Sequence, residues 1–234
     1  MKSIWQFFIA RLGAVLAGAA ILTAAQAADV THDRLVNSER EPQNWLNHHG
    51  NYEAHRFSGL DQINKSNVKN LKVAFTWAMG GTQGGGKEII VFPFAGLEGT
   101  PVAEDGFLYL TTGWGVVTKL DVRGGVPRQV WKYDPTPDRD FATTVACCGI
   151  NNRGAVLAGN MVISVVIDGR VLALNKTDGT KVWEAQVADP GNAEVFTGAP
   201  LIVKDMVVTG MAGAEFGVRG WIEALDIKTG KRRW

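Results

Sequence analysis

Cys147 and Cys148 are the two cysteines of a 234-residue chain, and they are adjacent. Neighbouring Cα atoms across a trans peptide lie about 3.8 Å apart, whereas ordinary disulfides span about 4.4–6.8 Å, so a bond between them closes a strained ring. The pair is open to two readings, buried free thiols or a vicinal disulfide, and an oxidising compartment favours the second. Neither CxxC nor histidine spacing accompanies them, which argues against a metal site there.

Glu215 stands in A-G-A-E-F-G-V-R-G (212–220), where small neighbours let a ligand approach the backbone and leave the carboxylate forward as an oxygen donor for a hard cation. A solvated turn glutamate is the competing reading, and Glu98 in G-L-E-G-T-P (96–101) has the same two. Arg153 in N-N-R-G offers a planar fork for a carboxylate or a quinone oxygen, or else an exposed ion pair. His32, His48, His49 and His55 lack the spacing of a zinc site and are taken as satisfied or solvated. Gly81 to Lys87 spells most of a phosphate-binding loop, but Glu88 stands where the motif needs a magnesium-binding hydroxyl, so the stretch reads as a flexible loop.

The elements that position these residues repeat. Trp183 closes A-L-N-K-T-D-G-T-K-V-W (173–183) and Trp234 closes A-L-D-I-K-T-G-K-R-R-W (224–234), 51 residues later. Trp131 closes a weaker copy 52 residues before Trp183, and Trp77 ends L-K-V-A-F-T-W 54 residues before Trp131. Between them, β-like runs alternate with turn signals: Phe107 to Thr111, Met161 to Ile167, Asp168-Gly169, Arg170 to Leu174 and Met206 to Thr209. In each unit Asn175 or Asp226 can bond the turn backbone, Gly179 or Gly230 can supply positive φ, and the tryptophan can pack between neighbouring sheets. Four short strands in about 50 residues describe a propeller blade, so the fold class is all-β, a β-propeller. The 28 glycines and 8 tryptophans suit many tight turns and repeated aromatic packing.

Residues 1–27 carry Lys2 and Arg11, an apolar run from Leu12 to Leu22, and Ala25-Gln26-Ala27 before Ala28, the pattern of a cleavable secretory signal peptide; an uncleaved membrane anchor is the weaker alternative. Removing them takes away two basic residues, so the formal charge of +1 becomes −1 for residues 28–234, with no electrostatic case for nucleic acid or an anionic membrane and no membrane span after signal cleavage.

Taken together, A-C-C-G-I-N-N-R-G (146–154), F-T-G-A-P (196–200), A-G-A-E-F-G-V-R-G, G-L-E-G-T-P, residues 51–71 and the tryptophan repeats resemble the pyrroloquinoline-quinone (PQQ) alcohol dehydrogenases, with the methanol and ethanol dehydrogenase branch closest. The resemblance implies an eight-bladed propeller, of which about four blades are expected in residues 28–234, and PQQ with a Ca²⁺ or lanthanide ion in the central channel. It implies oxidation of primary alcohols in the periplasm, with electrons passed to cytochrome c. Residue by residue, it makes Cys147 and Cys148 a vicinal disulfide packed flat on the quinone. Arg153 would contact the reactive quinone oxygens, Glu98, Thr197 and the Ala212-Gly213 backbone would hold the cofactor's carboxylates, and Glu215 would bind the metal. Many relatives carry serine where Ala212 stands, which removes one hydroxyl contact. The family's catalytic aspartate matches no residue here, and a half propeller has open edges, so the chain is expected to be a fragment of a longer product or a truncated gene. The competing readings are an inactive fragment and a non-catalytic scaffold like the outer-membrane assembly lipoproteins; a scaffold has no use for Cys147-Cys148, and a lipoprotein needs a cysteine just after its leader.

Overall fold

Short apolar runs bounded by turn residues become strands, and the computed structural model, which describes residues 28–80, 97–146 and 149–234, arranges them in three antiparallel sheets. The first is a meander of β1 (Val102–Glu104), β2 (Phe107–Thr111), β3 (Val117–Asp121) and β4 (Arg128–Tyr133). The second repeats it with β5 (Val156–Ala158), β6 (Met161–Val165), β7 (Arg170–Asn175) and β8 (Lys181–Gln186). The third has β9 (Leu201–Val203), β10 (Met206–Gly210) and β11 (Ile222–Asp226), with a bridge from Leu225 to Arg232 where a fourth strand would stand. Both complete sheets bulge at the same repeat position, between Lys119 and Leu120 and between Ala173 and Leu174. This architecture is the β-propeller expected from the repeats.

The middle sheet is covered on both faces, which explains why its sequence reads as continuous apolar runs rather than strict alternation. Val156, Leu157, Val162, Ile163, Val171 and Leu172 are all fully buried there. Trp131 and Trp183, the repeat tryptophans of the two four-stranded sheets, each dock on the turn of the following sheet. Trp131 of β4 donates its indole N–H to Lys176 O at 3.2 Å, and Trp183 of β8 donates to Ile227 O at 3.0 Å. The turn beneath Trp131 needs glycine twice over: Gly179 has φ +77°, and a Cβ added there would lie 2.6 Å from the ring. Asn175 shapes that turn by accepting the Thr177 N–H at 2.8 Å, and Asp226 does the same for Thr229 at 3.0 Å.

The expectation of about four blades is met only in part, since three sheets form among the described residues. Residues 71–77 carry the alternation of a strand ending in Trp77, yet no strand forms there and Leu71 and Val73 lie exposed. A strand needs a neighbour to pair its backbone, and none adjoins this segment among the described residues. The signal peptide expected at 1–27, the flexible loop expected at 81–87 and Cys147-Cys148 lie outside the described residues. No helix among the described residues is long and apolar enough to cross a membrane.

Candidate cofactor site

The inner strands β1, β5 and β9 are entered by three equivalent loops. Glu98, Asn152 and Thr197 each stand four residues before the strand that follows. The loops are tied edge to edge: Thr100 N donates to Arg153 O at 3.0 Å, and Arg153 N donates to Thr197 O at 3.1 Å. Asn152, which is buried, braces the central loop by donating to Val165 O at 2.8 Å and accepting the Gly154 N–H at 2.8 Å. With its backbone held on both sides, Arg153 places its guanidinium at the mouth of the junction. Nη1 donates to Thr197 O at 3.2 Å and Nη2 pairs with Glu98 Oε2 at 3.2 Å.

The second tier comes from the loop after β10. Ala212 and Val195 exchange backbone hydrogen bonds of 2.8 and 3.2 Å, which draws 212–215 against the Thr197 loop. Gly213 has φ +133° and an added Cβ would lie 2.3 Å from Ala193 O, so its backbone passes where no side chain could. A single 3₁₀ turn, Ala214–Phe216, then presents Glu215 to solvent.

Arg153, Thr197, Ala212, Gly213 and Glu215 line one cavity of about 120 Å³, and Ala146 and Gly149, which flank Cys147-Cys148, line it too. Glu98 is not part of that lining; it reaches the site through Arg153. Asn151, buried and on the cavity wall, was missed in the sequence, as was Asn152. The signal was present in N-N-R-G, where only the arginine was weighed, and in the equivalent position of Glu98, Asn152 and Thr197 before three inner strands.

A small apolar cluster of Trp114, Val116, Ala142, Ala146, Ile150, Ile167 and Val195 adjoins the cavity, whose wall includes Ala146 and Val195. The helix α2 (Arg139–Val145) is capped by Asp138, whose Oδ1 accepts the Phe141 N–H at 3.0 Å, and it carries the chain toward Cys147. Arg139 covers this cluster with its guanidinium 5.1 Å from the Trp114 ring centroid. The lining therefore joins a packed apolar part, Val145, Ala146 and Val195, to a polar part, Asn151, Arg153, Thr197 and Glu215, an arrangement suited to a flat ring system bearing carboxylates. The donor set fits such a ligand: a guanidinium and backbone groups for anionic oxygens, and one exposed carboxylate for a hard cation.

Comparison with known proteins decides the family. The description "PQQ: Glucose/ethanol/alcohol dehydrogenase, beta-propeller domain" matches residues 45–234. The chain belongs to the PQQ-dependent alcohol dehydrogenase family. It is 37% identical over 211 residues to the quinohemoprotein alcohol dehydrogenase ADH IIB of Pseudomonas putida, covering 90% of this chain and 28% of that protein. It is 33% identical over 235 residues to a lanthanide-dependent methanol dehydrogenase of Methylacidiphilum fumariolicum, covering 100% of this chain and 36% of that protein. Among solved structures, a europium-containing methanol dehydrogenase superposes with TM-score 0.78 at 35% identity, over 86% of this chain and 33% of that one. The quinohemoprotein alcohol dehydrogenase ADHIIG of Pseudomonas putida superposes with TM-score 0.80 at 36% identity, over 89% of this chain and 28% of that one. The chain thus spans about a third of the length of these PQQ dehydrogenases.

Proposed function

We propose that this chain forms a cofactor-holding part of a periplasmic PQQ-dependent dehydrogenase that oxidises primary alcohols to aldehydes and passes the electrons to a cytochrome c. The observation that carries the reading is the convergence of Arg153, Thr197, Ala212, Gly213 and Glu215 on one cavity flanked by the residues on either side of Cys147-Cys148. When bound, PQQ supplies a two-electron acceptor and the metal supplies Lewis acidity.

The roles proposed for the chain's own residues follow from their chemistry. Arg153 holds a permanent positive charge at the cavity mouth, where it binds and polarises an anionic or carbonyl oxygen. Its pairing with Glu98 at 3.2 Å restrains the guanidinium between the loops before β1 and β9. Thr197 and the backbone of Ala212-Gly213 orient the cofactor's carboxylates, and Gly213 lets its peptide approach them closely. Glu215 offers a hard oxygen donor to Ca²⁺ or a lanthanide ion. Cys147 and Cys148, as a vicinal disulfide, form a flat apolar face on one side of the ring and exclude water from it. None of these residues is assigned to take the alcohol's proton.

Retention of quinone absorbance after desalting the chain with PQQ and Ca²⁺ or La³⁺ tests the binding role. Alcohol-dependent dye reduction by the complete protein that contains this segment tests the reaction. Cys147→Ser and Glu215→Ala should sharply lower that dye reduction, and wild-type rates in both variants would contradict the assigned roles.

A further inference from the structure

His48 lies on a strap that crosses the seam between the first two sheets. Trp45 exchanges two backbone hydrogen bonds of 2.8 Å with Ala103 in β1, and Leu46 O accepts the Leu157 N–H of β5 at 3.2 Å. Asn44 Oδ1 accepts the Asp105 N–H at 3.0 Å, and buried Asn47 turns the chain by accepting the His49 N–H at 3.1 Å. His48 is therefore delivered to a fixed place. Its Nδ1 is buried, has no hydrogen-bond partner among the described residues, and lies 3.6 Å from the point where a Cβ on Gly154 would stand. On another side the same Cβ would lie 2.9 Å from Thr100 O, and Gly154 has φ +131°. The backbone just after Arg153 is thus enclosed between Thr100 and the imidazole.

We propose that His48 is a positioning residue for Arg153: an imidazole behind the 153–154 peptide that keeps the guanidinium turned to the cavity and makes the strap part of the cofactor site. The inference rests on reading Arg153 as a cofactor residue. Two sides of the Arg153 backbone are held by the Thr197 carbonyl and the Thr100 N–H, at 3.1 and 3.0 Å, and the imidazole backs the peptide that follows. The electrostatics agree with the packing. Burial holds the His48 pKa below the usual imidazole range, neighbouring His49, Arg56 and Arg153 push the same way, and contact with the Arg153 backbone opposes them. His49 stacks edge-on at 4.4 Å and accepts from Arg56 Nε through its own Nδ1 at 3.0 Å. Glu98 meets Arg153 only at the far end of its guanidinium. Repulsion between His48 and Arg153 is reciprocal, so removing or offsetting the Arg153 charge must make His48 easier to protonate.

The imidazole C–H resonance of His48 in the whole chain reads this coupling without any turnover. Arg153→Gln should move the His48 titration to higher pH, and PQQ, whose carboxylates offset the guanidinium, should do so in the wild type; these shifts report proximity, and the Arg153 resonance reports positioning. His48→Ala should weaken PQQ binding about tenfold, mobilise the Arg153 Nε–H resonance and leave circular dichroism unchanged, with partial recovery in His48→Gln. A His48 titration unmoved by Arg153→Gln would overturn the proposal, as would an unchanged Arg153 resonance in a folded His48→Ala chain. A wild-type chain that fails to bind PQQ counts against the cofactor reading instead, and the Arg153→Gln shift then still decides whether the two residues are coupled.

Discussion

Glu98 Oε2 lies 3.2 Å from Arg153 Nη2 across the inner ends of two neighbouring sheets. The two side chains keep 42% and 45% of their exposure, so solvent screens the pair and its contribution to folding is at most about 1 kcal/mol. Its geometry serves orientation more than stability. Glu98→Gln should therefore shift the melting temperature by less than about 4 °C while weakening PQQ binding. Arg153→Gln should weaken binding further, because it removes the charge itself. Parallel melts and PQQ titrations check this; a large loss of melting temperature in Glu98→Gln with unchanged binding would make the pair structural.

Glu215 makes a different prediction because it sits exposed on a single 3₁₀ turn that carries no buried side chain. Substitution there should leave folding alone, since surface changes usually stay within about 0.5 kcal/mol. Glu215→Gln keeps the shape and removes the anionic donor, so affinity for La³⁺ or Ca²⁺ in the PQQ-loaded chain should fall by about tenfold or more. Titration calorimetry with each ion reads this directly, and equal affinities for wild type and variant would move the metal elsewhere.

Trp131 and Gly179 form one contact across the seam between the first two sheets. Trp131→Ala should cost about 3–5 kcal/mol, the usual range for emptying a large aromatic site. Gly179→Ala attacks the same contact from the other side, by placing a methyl group 2.6 Å from the ring in a backbone at φ +77°. Urea unfolding of both variants should show losses that fail to add, because each disrupts one shared contact. Additive losses would mean that ring and turn act independently.

What was legible in the sequence was what is local. The run Phe107 to Thr111 became β2 with those bounds, and the glycine and Asn/Asp positions of the repeat became the turns that were expected. The tryptophan repeat gave the period and the packing of Trp131 between neighbouring sheets, yet it did not say that the indole would donate to Lys176 O. Trp77 kept the period and formed no strand, because pairing depends on a neighbour that a local pattern does not contain. At the site, Arg153, Glu98 and Glu215 could be picked out as residue types in their loops, while Thr197 came only with the resemblance, which supplied the roles of all four. His48 read as a satisfied or solvated histidine because its meaning lies in Gly154, more than a hundred positions away. The ionic seam around Glu104 was equally invisible, since its partner Lys176 is 72 positions distant.

That seam yields the remaining prediction. Glu104 Oε2 lies 2.5 Å from Lys176 Nζ, Arg34 Nη1 reaches Glu104 Oε1 at 2.7 Å, and Lys119 Nζ donates to Lys176 O at 2.8 Å. Glu104 and Lys176 are fully buried, so Glu104→Ala leaves an uncompensated ammonium and should cost about 3–5 kcal/mol. Lys119 bears the strain of this cluster: burial, then the charge of Lys176, lowers its pKa to about 8. Its unfolded value is about 10.4, so the unfolded chain binds the extra proton between these limits. Stability must then rise with pH across that window: the cost of holding Lys119 charged is full below about pH 8 and fades toward pH 10. Lys119→Met has no such proton to lose. Melting temperatures measured from pH 7 to pH 10 should show the wild type gaining on Lys119→Met above about pH 8, whereas a constant difference would mean that Lys119 titrates alike in the folded and unfolded chain.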